Sequence, residues 1–198
     1  MPAVAVTPVL LVGGASRRMG EDKSTLDVGG TPAAVRVAAV LAGACGVDVS
    51  EVVCVGGPPE RARSLGLMHV PDDDPGAGPL AALDTVLRRL DGDCLVAACD
   101  LLGIDHATAV AVLRAGDRPA CDVAVASGPD GRRQPLMARW NSVAAPVVAE
   151  AVATGERSPS RLLGRLRVVE VPCAEEVLLN VNDPDGLRLL RARIRDAG

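Results

Sequence analysis

The chain has 198 residues, the usual length of one domain, and 48% of them are apolar against a formal net charge of −4. This composition excludes an intrinsically disordered chain. One aromatic residue is present, Trp140, so base stacking, and with it a single-stranded nucleic-acid partner, is not expected. The mild acidity also argues against broad binding to phosphate backbones. We therefore expect one domain over residues 1–198, acting as a monomer without nucleic acid.

The cysteines and histidines are not spaced as metal ligands. No two cysteines form a CxxC pair, and His69 and His106 lie outside any ligand-like spacing with them. Most of the thiols fall in apolar runs, where cysteine behaves as a small buried hydrophobe. The sequence opens without a basic leader, and its first apolar run is too short to span a bilayer. We expect a cytoplasmic protein that makes no membrane contact.

Short Val/Leu-rich runs alternate with helical stretches through the first half of the chain. Strands are predicted at 9–12, 51–55, 67–70 and 94–98, and helices at 32–45, from 60, at 80–90 and at 105–115. Thr31 is the predicted N-cap of the first long helix, with Pro32 at its first position. In the helix at 80–90, the leucines and Val86 recur at helical spacing, which places Asp84, Arg88 and Arg89 on the other face.

The second half continues the alternation. It contains predicted strands at 122–126, 135–140 and 167–171, a turn at 128–131, and helices at 143–153, from 158 and after 183. Strands that alternate with helices predict an α/β fold with a mostly parallel sheet. Ligands of such sheets bind outside the carboxyl ends of the strands. This rule directs attention to the loops at 13–23, 71–79 and 99–105.

The stretch from Leu10 to Leu26, LLVGGASRRMGEDKSTL, has the features of a phosphate-binding loop. Gly13 and Gly14 follow the first strand, and glycine amides approach a ligand closely. The cations Arg17, Arg18 and Lys23 can neutralise a triphosphate or a leaving pyrophosphate. The alternative is a glycine turn with solvated basic side chains. Neither the Walker-A pattern nor the dinucleotide fingerprint GxGxxG is present.

The same stretch resembles the signature of nucleotidyltransferases that activate cofactors and sugars, and most closely that of the molybdenum cofactor guanylyltransferases. The match runs from Leu11 to Lys23, with Val12 where the family usually has alanine. Four later segments follow in the family's order: PDDDPGAGPLAAL, CLVAACDL, RRQPLMA and NVNDPDGL. The resemblance implies a three-layer, Rossmann-like, mostly parallel sheet of the nucleotidyltransferase type. It also implies a nucleotide half at about residues 1–105 and an acceptor half at about 106–198.

Asp100 is the main candidate for a carboxylate that carries chemistry. It follows a buried strand predicted to be central, where a magnesium ion bridging phosphate oxygens is expected. The resemblance likewise implies Mg²⁺ at Asp100. The alternative role is that of a helix N-cap or loop-capping aspartate. The family usually has C-D-x-P at this point, whereas this chain has Leu101 and Leu102 after the aspartate.

The remaining nucleotide contacts are implied by the resemblance. The family has one nucleotide-binding aspartate in the acidic run; the position after Val70-Pro71 favours Asp72, and Asp73 and Asp74 remain open. Guanine selection is expected from backbone groups near Leu11 to Gly13 with a nearby carboxylate or amide. An asparagine that often follows the second strand in the family is replaced here by Gly56 and Gly57. The implied nucleotide-binding set is Leu11, Val12, Gly13, Gly14, Lys23, Asp72 and Asp100.

Two later segments are candidates for binding the acceptor. Asn180 and Asn182 are two residues apart, so they point to the same side of an extended segment and their amides can hold a pterin edge or a phosphate. A turn with a helix-capping asparagine is the alternative. Arg133 and Gln134 belong to the acceptor half by resemblance; surface residues without a role are the alternative.

The resemblance implies Mg²⁺-dependent transfer of GMP from GTP to the phosphate of molybdopterin or molybdenum cofactor, with release of pyrophosphate. The implied catalytic residues are Arg18, Lys23, Asp100 and Asn180. Transient contact with molybdenum cofactor enzymes or chaperones is also expected. The alternatives are a CTP-dependent molybdenum cofactor transferase, a sugar-phosphate nucleotidyltransferase, and a catalytically degenerate nucleotide-binding protein of the same fold.

Overall fold

The computed structural model describes residues 5–12 and 23–179, and only the backbone of Lys23. The strands in these ranges are Val6–Leu11 (β1), Val53–Val55 (β2), Met68–Val70 (β3), Asp93–Ala98 (β4), Val123–Ser127 (β5), Arg133–Trp140 (β6) and Val168–Pro172 (β7). The α-helices are Ala33–Cys45 (α1), Pro59–Ser64 (α2), Pro79–Arg89 (α3), His106–Ala115 (α4), Ala145–Ala153 (α5) and Pro159–Leu162 (α6). The predicted helix after residue 183 lies outside the described residues.

The described strands form one seven-stranded sheet in the order β3-β2-β1-β4-β6-β5-β7. Every pair is parallel except those made by β6, which runs antiparallel to both β4 and β5. The reversal follows from the short turn at 128–132, because a tight turn joins only antiparallel neighbours. The prediction of a mostly parallel sheet is confirmed.

Two apolar layers cover the two faces of the sheet. Alternate residues of the first strand segment point to opposite faces: Leu10 and Val12 to one, Val9 and Leu11 to the other. On the first face lie buried residues of α1, α2 and α4, and on the second those of α3, α5 and α6. The core is built mainly of valine, leucine and alanine, with the fully buried Trp140 on the second face. The three-layer α/β fold is confirmed.

Some predicted helix and strand ends differ from those in the structure, because backbone groups at these ends form hydrogen bonds that the sequence pattern does not indicate. Thr31 is not the N-cap of α1. Pro32 occupies that position without a side-chain cap, because the Ala33 amide donates to the Leu26 carbonyl over 2.8 Å. The predicted start of the second strand, Glu51, ends a 3₁₀ turn instead, since Asp48 and Glu51 form a capping box there.

Strand β6 begins two residues earlier than predicted and contains a large bulge. Val125 pairs with Ala138 and the next residue, Ala126, pairs with Gln134, so residues 135–137 are additional on the β6 side. The Pro135 carbonyl accepts a hydrogen bond of 3.1 Å from the Trp140 indole nitrogen. The indole therefore satisfies a backbone group inside the bulge.

An ionic network around the buried Arg139 holds the amino-end edge of the sheet. Its guanidinium donates to Asp93 and to Asp117 at 2.7 Å each, and to the Asn141 amide oxygen at 3.0 Å. The side chains of Arg139 and Asp93 are 5% and 8% exposed. Gly116 is required beside them, because a Cβ there would lie 2.6 Å from the Arg139 Nε. This edge is structural and lies opposite the carboxyl ends of the parallel strands.

The cysteines behave as the sequence predicts. Cys54, Cys94, Cys99 and Cys121 are buried, the other two are partly exposed, and all six are free thiols. Burial raises the pKa of Cys94 to about 12. In the part of the chain that the structure describes, no helix is long and apolar enough to cross a bilayer.

Candidate active site

Four parallel strands end in one row at the same edge of the sheet. Leu11 pairs with Val55 on one side and with Ala98 on the other, and Val55 pairs with Val70. The ladder continues for one more residue, since the Val12 amide donates to the Val55 carbonyl at 2.9 Å and the Cys99 amide donates to Leu11 at 3.1 Å. The loops that follow these strands therefore emerge side by side, which is the usual place for a ligand.

At this edge, Leu11 and Val12 present backbone groups rather than side chains. Both residues are 5% exposed, and their side chains pack into the two apolar layers. The bulk added by valine at position 12 is therefore accommodated in the core beside α1. Gly13, Gly14, Arg17 and Arg18 lie outside the described residues. Lys23 begins a 3₁₀ turn, Lys23–Thr25, whose second residue, Ser24, is fully buried.

Asp100 is half-buried in the turn immediately after β4, which is the middle strand of the seven-stranded sheet and the last strand of this row. The turn is closed by a 3.1 Å hydrogen bond from the Leu101 amide to the Ala98 carbonyl. The alternative role of Asp100 as the cap of α4 is not realised. Asp105 fills it, because its side chain accepts a 2.7 Å hydrogen bond from the Thr108 amide.

The loop after Asp100 packs tightly against the end of the described chain. A Cβ on Gly103 would overlap the Glu176 carbonyl oxygen and lie 3.2 Å from the Val177 carbonyl oxygen. Glu176 and Val177 belong to the 3₁₀ turn Glu175–Leu178, two residues before Asn180. Asn180 and Asn182 themselves lie outside the described residues.

The acidic run after β3 is ordered by α3. Asp73 forms ion pairs with Arg88, at 2.9 Å, and with Arg89. The hydrogen bond from Arg89, together with the charges of both arginines, holds the pKa of Asp73 below its usual range. The half-buried Asp72 accepts a hydrogen bond from the Asp74 amide at 3.1 Å. The Asp73 carboxylate is therefore bound by two arginines, whereas the Asp72 carboxylate accepts a hydrogen bond from a loop amide.

The face of α3 that carries Asp84, Arg88 and Arg89 packs against the acidic run. Asp84 is only 7% exposed, and Thr85 is fully buried. The loop at 71–78 lies against this face, which is why periodicity within the helix alone could not predict the contact. Arg88 bridges Asp84 and Asp73, with 2.9 Å to each. Thr85, Arg88 and Arg89 are site-supporting residues that the sequence interpretation missed.

Arg133 and Gln134 lie at the same edge of the sheet as Asp100. Because β6 is antiparallel and Met137 pairs with Ala97, its first residues extend past the carboxyl end of β4. Arg133 is bound to Glu170 of β7 by hydrogen bonds of 2.9 and 2.6 Å to one carboxylate oxygen. Gln134 is half-buried beside it. The partner of Arg133, Glu170, is a further residue that no sequence motif indicates.

Two further observations delimit the site. A surface cavity of about 360 Å³ lies at the α5–α6 connection; none of the candidate residues lines it, and its arginines are paired with Glu150 and Glu156. Among the residues that the structure describes, no group of three or more His, Cys, Asp or Glu converges as a metal cage. A phosphate-bound Mg²⁺ does not need such a cage, since one or two carboxylates, water and substrate phosphates suffice. Asp100 fits that requirement.

Comparison with known proteins identifies the family of this chain. Residues 8–171 match the family model of the MobA-like NTP transferase domain. A probable molybdenum cofactor guanylyltransferase from Synechococcus elongatus is 31% identical over 92% of this chain and 96% of its own length. A probable molybdenum cofactor guanylyltransferase from Bacillus licheniformis is 35% identical over 81% of this chain and 80% of its own length.

Among solved structures, the molybdopterin-guanine dinucleotide biosynthesis protein A of Archaeoglobus fulgidus superposes with a TM-score of 0.79 at 24% identity. It covers 96% of this chain and 100% of its own. At that identity the superposition supports the fold, while the family match rests on the sequence comparisons. The chain belongs to the MobA-like NTP transferase family.

Proposed function

We propose that this protein transfers GMP from GTP to the terminal phosphate of molybdopterin or molybdenum cofactor and releases pyrophosphate. The observation that carries the proposal is the common strand row, which brings Asp100 and the acidic loop to one edge with Arg133 and Gln134 alongside. Family membership and relatives named molybdenum cofactor guanylyltransferase support it. Residues up to about 105 serve the nucleotide and those beyond serve the acceptor, in a single cytoplasmic, monomeric domain.

The chemistry requires positioning and charge neutralisation more than proton transfer. An ionised phosphate oxygen of the acceptor attacks the α-phosphorus of GTP, and the bond between that phosphorus and the bridging oxygen of pyrophosphate breaks. The attacking oxygen already carries its electron pair and charge, so no general base is needed. In this proposal Arg18 and Lys23 stabilise the leaving pyrophosphate, with the amides of Gly13 and Gly14 around its oxygens.

The remaining residues bind and orient the substrates. Leu11, Val12 and Asp72 contact the nucleoside, and Arg133, Gln134, Asn180 and Asn182 hold the acceptor. Asp100 would bind Mg²⁺, which neutralises charge on the α- and β-phosphate oxygens when bound. The half-buried position of Asp100 favours such binding, because a carboxylate attracts a cation more strongly where water is partly excluded. Transient contact with molybdenum cofactor enzymes or chaperones is part of the same proposal.

The test first compares the thermal shifts that different nucleotides produce and then measures pyrophosphate release. Because a ligand that binds only the folded state raises the melting temperature, GTP with Mg²⁺ should stabilise the protein more than CTP, ATP or UTP. Pyrophosphate release should then require molybdopterin. A larger shift with CTP would favour the cytidylyl alternative. GTP binding without pyrophosphate release would favour a degenerate nucleotide-binding protein, and release with a sugar phosphate alone would favour the sugar branch.

A matched pair of variants tests the site. Asp100→Asn should lower the rate of pyrophosphate release by about 100-fold or more while preserving the fold. Asp91→Asn is the control, since Asp91 is exposed just before β4, at the opposite edge of the sheet. It should turn over like the original protein. Near-normal release by Asp100→Asn would overturn the assignment of Asp100.

A further inference from the structure

A buried hydroxyl group on α3 contacts the acidic loop at the candidate site. Thr85 is fully buried, and its Oγ1 accepts a 3.2 Å hydrogen bond from the Asp73 amide. The same hydroxyl donates a longer hydrogen bond, of 3.5 Å, to Asp72 Oδ1. We propose that Thr85 is a positioning residue that fixes the Asp72 carboxylate for contact with the nucleotide. This inference rests on the proposed function, in which Asp72 binds GTP.

The contacts of the acidic loop distinguish Asp73, which is anchored to α3, from Asp72, which faces the nucleotide in the proposed function. Asp73 is anchored by its amide to Thr85 and by its carboxylate to Arg88 and Arg89. Asp72 uses Oδ1 for both Thr85 and the Asp74 amide. Within the described residues, Oδ2 of Asp72 takes no hydrogen bond from protein. The loop geometry therefore makes Asp73 the structural aspartate and Asp72 the ligand-facing one.

The hydroxyl is suited to this task because it both accepts and donates. A valine of the same shape would leave the Asp73 amide without its acceptor and Asp72 without its donor, while filling the same space in the buried face of α3. An amide deprived of its partner under the loop is costly, so the loop would relax away from the helix. A serine keeps both hydrogen bonds and loses only a methyl group.

The experiment uses Thr85→Val with Thr85→Ser as its matched control. Thr85→Val should raise the Kd and the KM for GTP by about five- to tenfold, with kcat little changed, because an interaction common to ground state and transition state is lost. Thr85→Ser should stay within about twofold of the original protein. In an Asp72→Asn background, Thr85→Val should have no further effect, since the two residues act on the same contact.

Two outcomes would overturn the proposal. The first is GTP binding by Thr85→Val that equals that of the original protein. The second is an equal loss of GTP affinity in the original and the Asp72→Asn backgrounds, which is the pattern of a residue that supports only the fold.

A separate measurement distinguishes this inference from the proposed function. If GTP binds to none of these proteins, the proposed function fails, and hydrogen exchange of the Asp73 amide still tests Thr85. Faster exchange in Thr85→Val, and not in Thr85→Ser, supports the anchoring of the loop. Equal exchange rates of the Asp73 amide in all three proteins would contradict the hydrogen bond from this amide to Thr85, on which the inference depends.

Discussion

Replacing Gly103 by alanine tests whether the loop after Asp100 and the end of the described chain act as one unit. The new Cβ would overlap the Glu176 carbonyl oxygen and lie 3.1 Å from its carbonyl carbon. Both are backbone atoms, so no flexible side chain can rotate away. Restoring an ordinary contact requires the two segments to separate by more than about 1 Å.

The magnitude follows from this geometry. Overpacking of this kind costs about 1–3 kcal/mol, and the gain from a stiffer unfolded chain offsets about 0.4–1 kcal/mol of it. The net loss in the free energy of unfolding should be about 1–2 kcal/mol. Activity should fall further, by about 100-fold, because a shift of about 1 Å at a reacting group has that effect. Urea unfolding and pyrophosphate release measure the two quantities.

The chain supplies a matched control in Gly164. A Cβ there would meet nothing within 4 Å, so Gly164→Ala should preserve both stability and turnover. Stability and turnover of Gly103→Ala that match those of Gly164→Ala would refute the argument. They would show that the loop after Asp100 does not depend on its contact with Glu176.

Two further predictions concern the core. Arg139→Met should lower the free energy of unfolding by about 3–5 kcal/mol in urea titrations, because Asp93 would stay buried without its partner; a loss below about 1 kcal/mol would contradict the network. Cys94, whose pKa is raised to about 12 by burial, should resist alkylation at pH 8 in the folded protein and react on unfolding. Mass spectrometry of iodoacetamide-treated protein locates the label, and rapid labelling of Cys94 in the folded state would contradict its burial.

The sequence predicts the elements well because their signals are local. Strand β4 and helix α4 follow from an apolar run and from helical spacing, and both lie within a residue or two of the predicted ends. The common edge follows from the rule for parallel sheets once the alternation is seen. The positions of Asp72 and Asp100 could therefore be anticipated without any long-range contact.

Contacts between distant elements could not be predicted in the same way. The pairing of Asp73 with Arg88 joins residues 15 apart, and that of Arg133 with Glu170 joins residues 37 apart. Both depend on how a loop folds over a helix or how two strands become neighbours. Thr85 gives no sequence signal, since its hydroxyl acquires a partner only after the loop has folded back. The roles of Arg18, Lys23, Asn180 and Asn182 stay predictions.

The reversed direction of β6 has a consequence for how the protein can change. The turn at 128–132 joins two adjacent strands and carries no crossover helix, whereas each parallel strand is tied to a helix that packs on the sheet. An insertion or exchange in this hairpin therefore leaves the register of β1, β2 and β4 untouched. If Arg133 and Gln134 bind the acceptor as proposed, this hairpin is where engineering would change the acceptor without altering the pairing of β1 with β2 and β4.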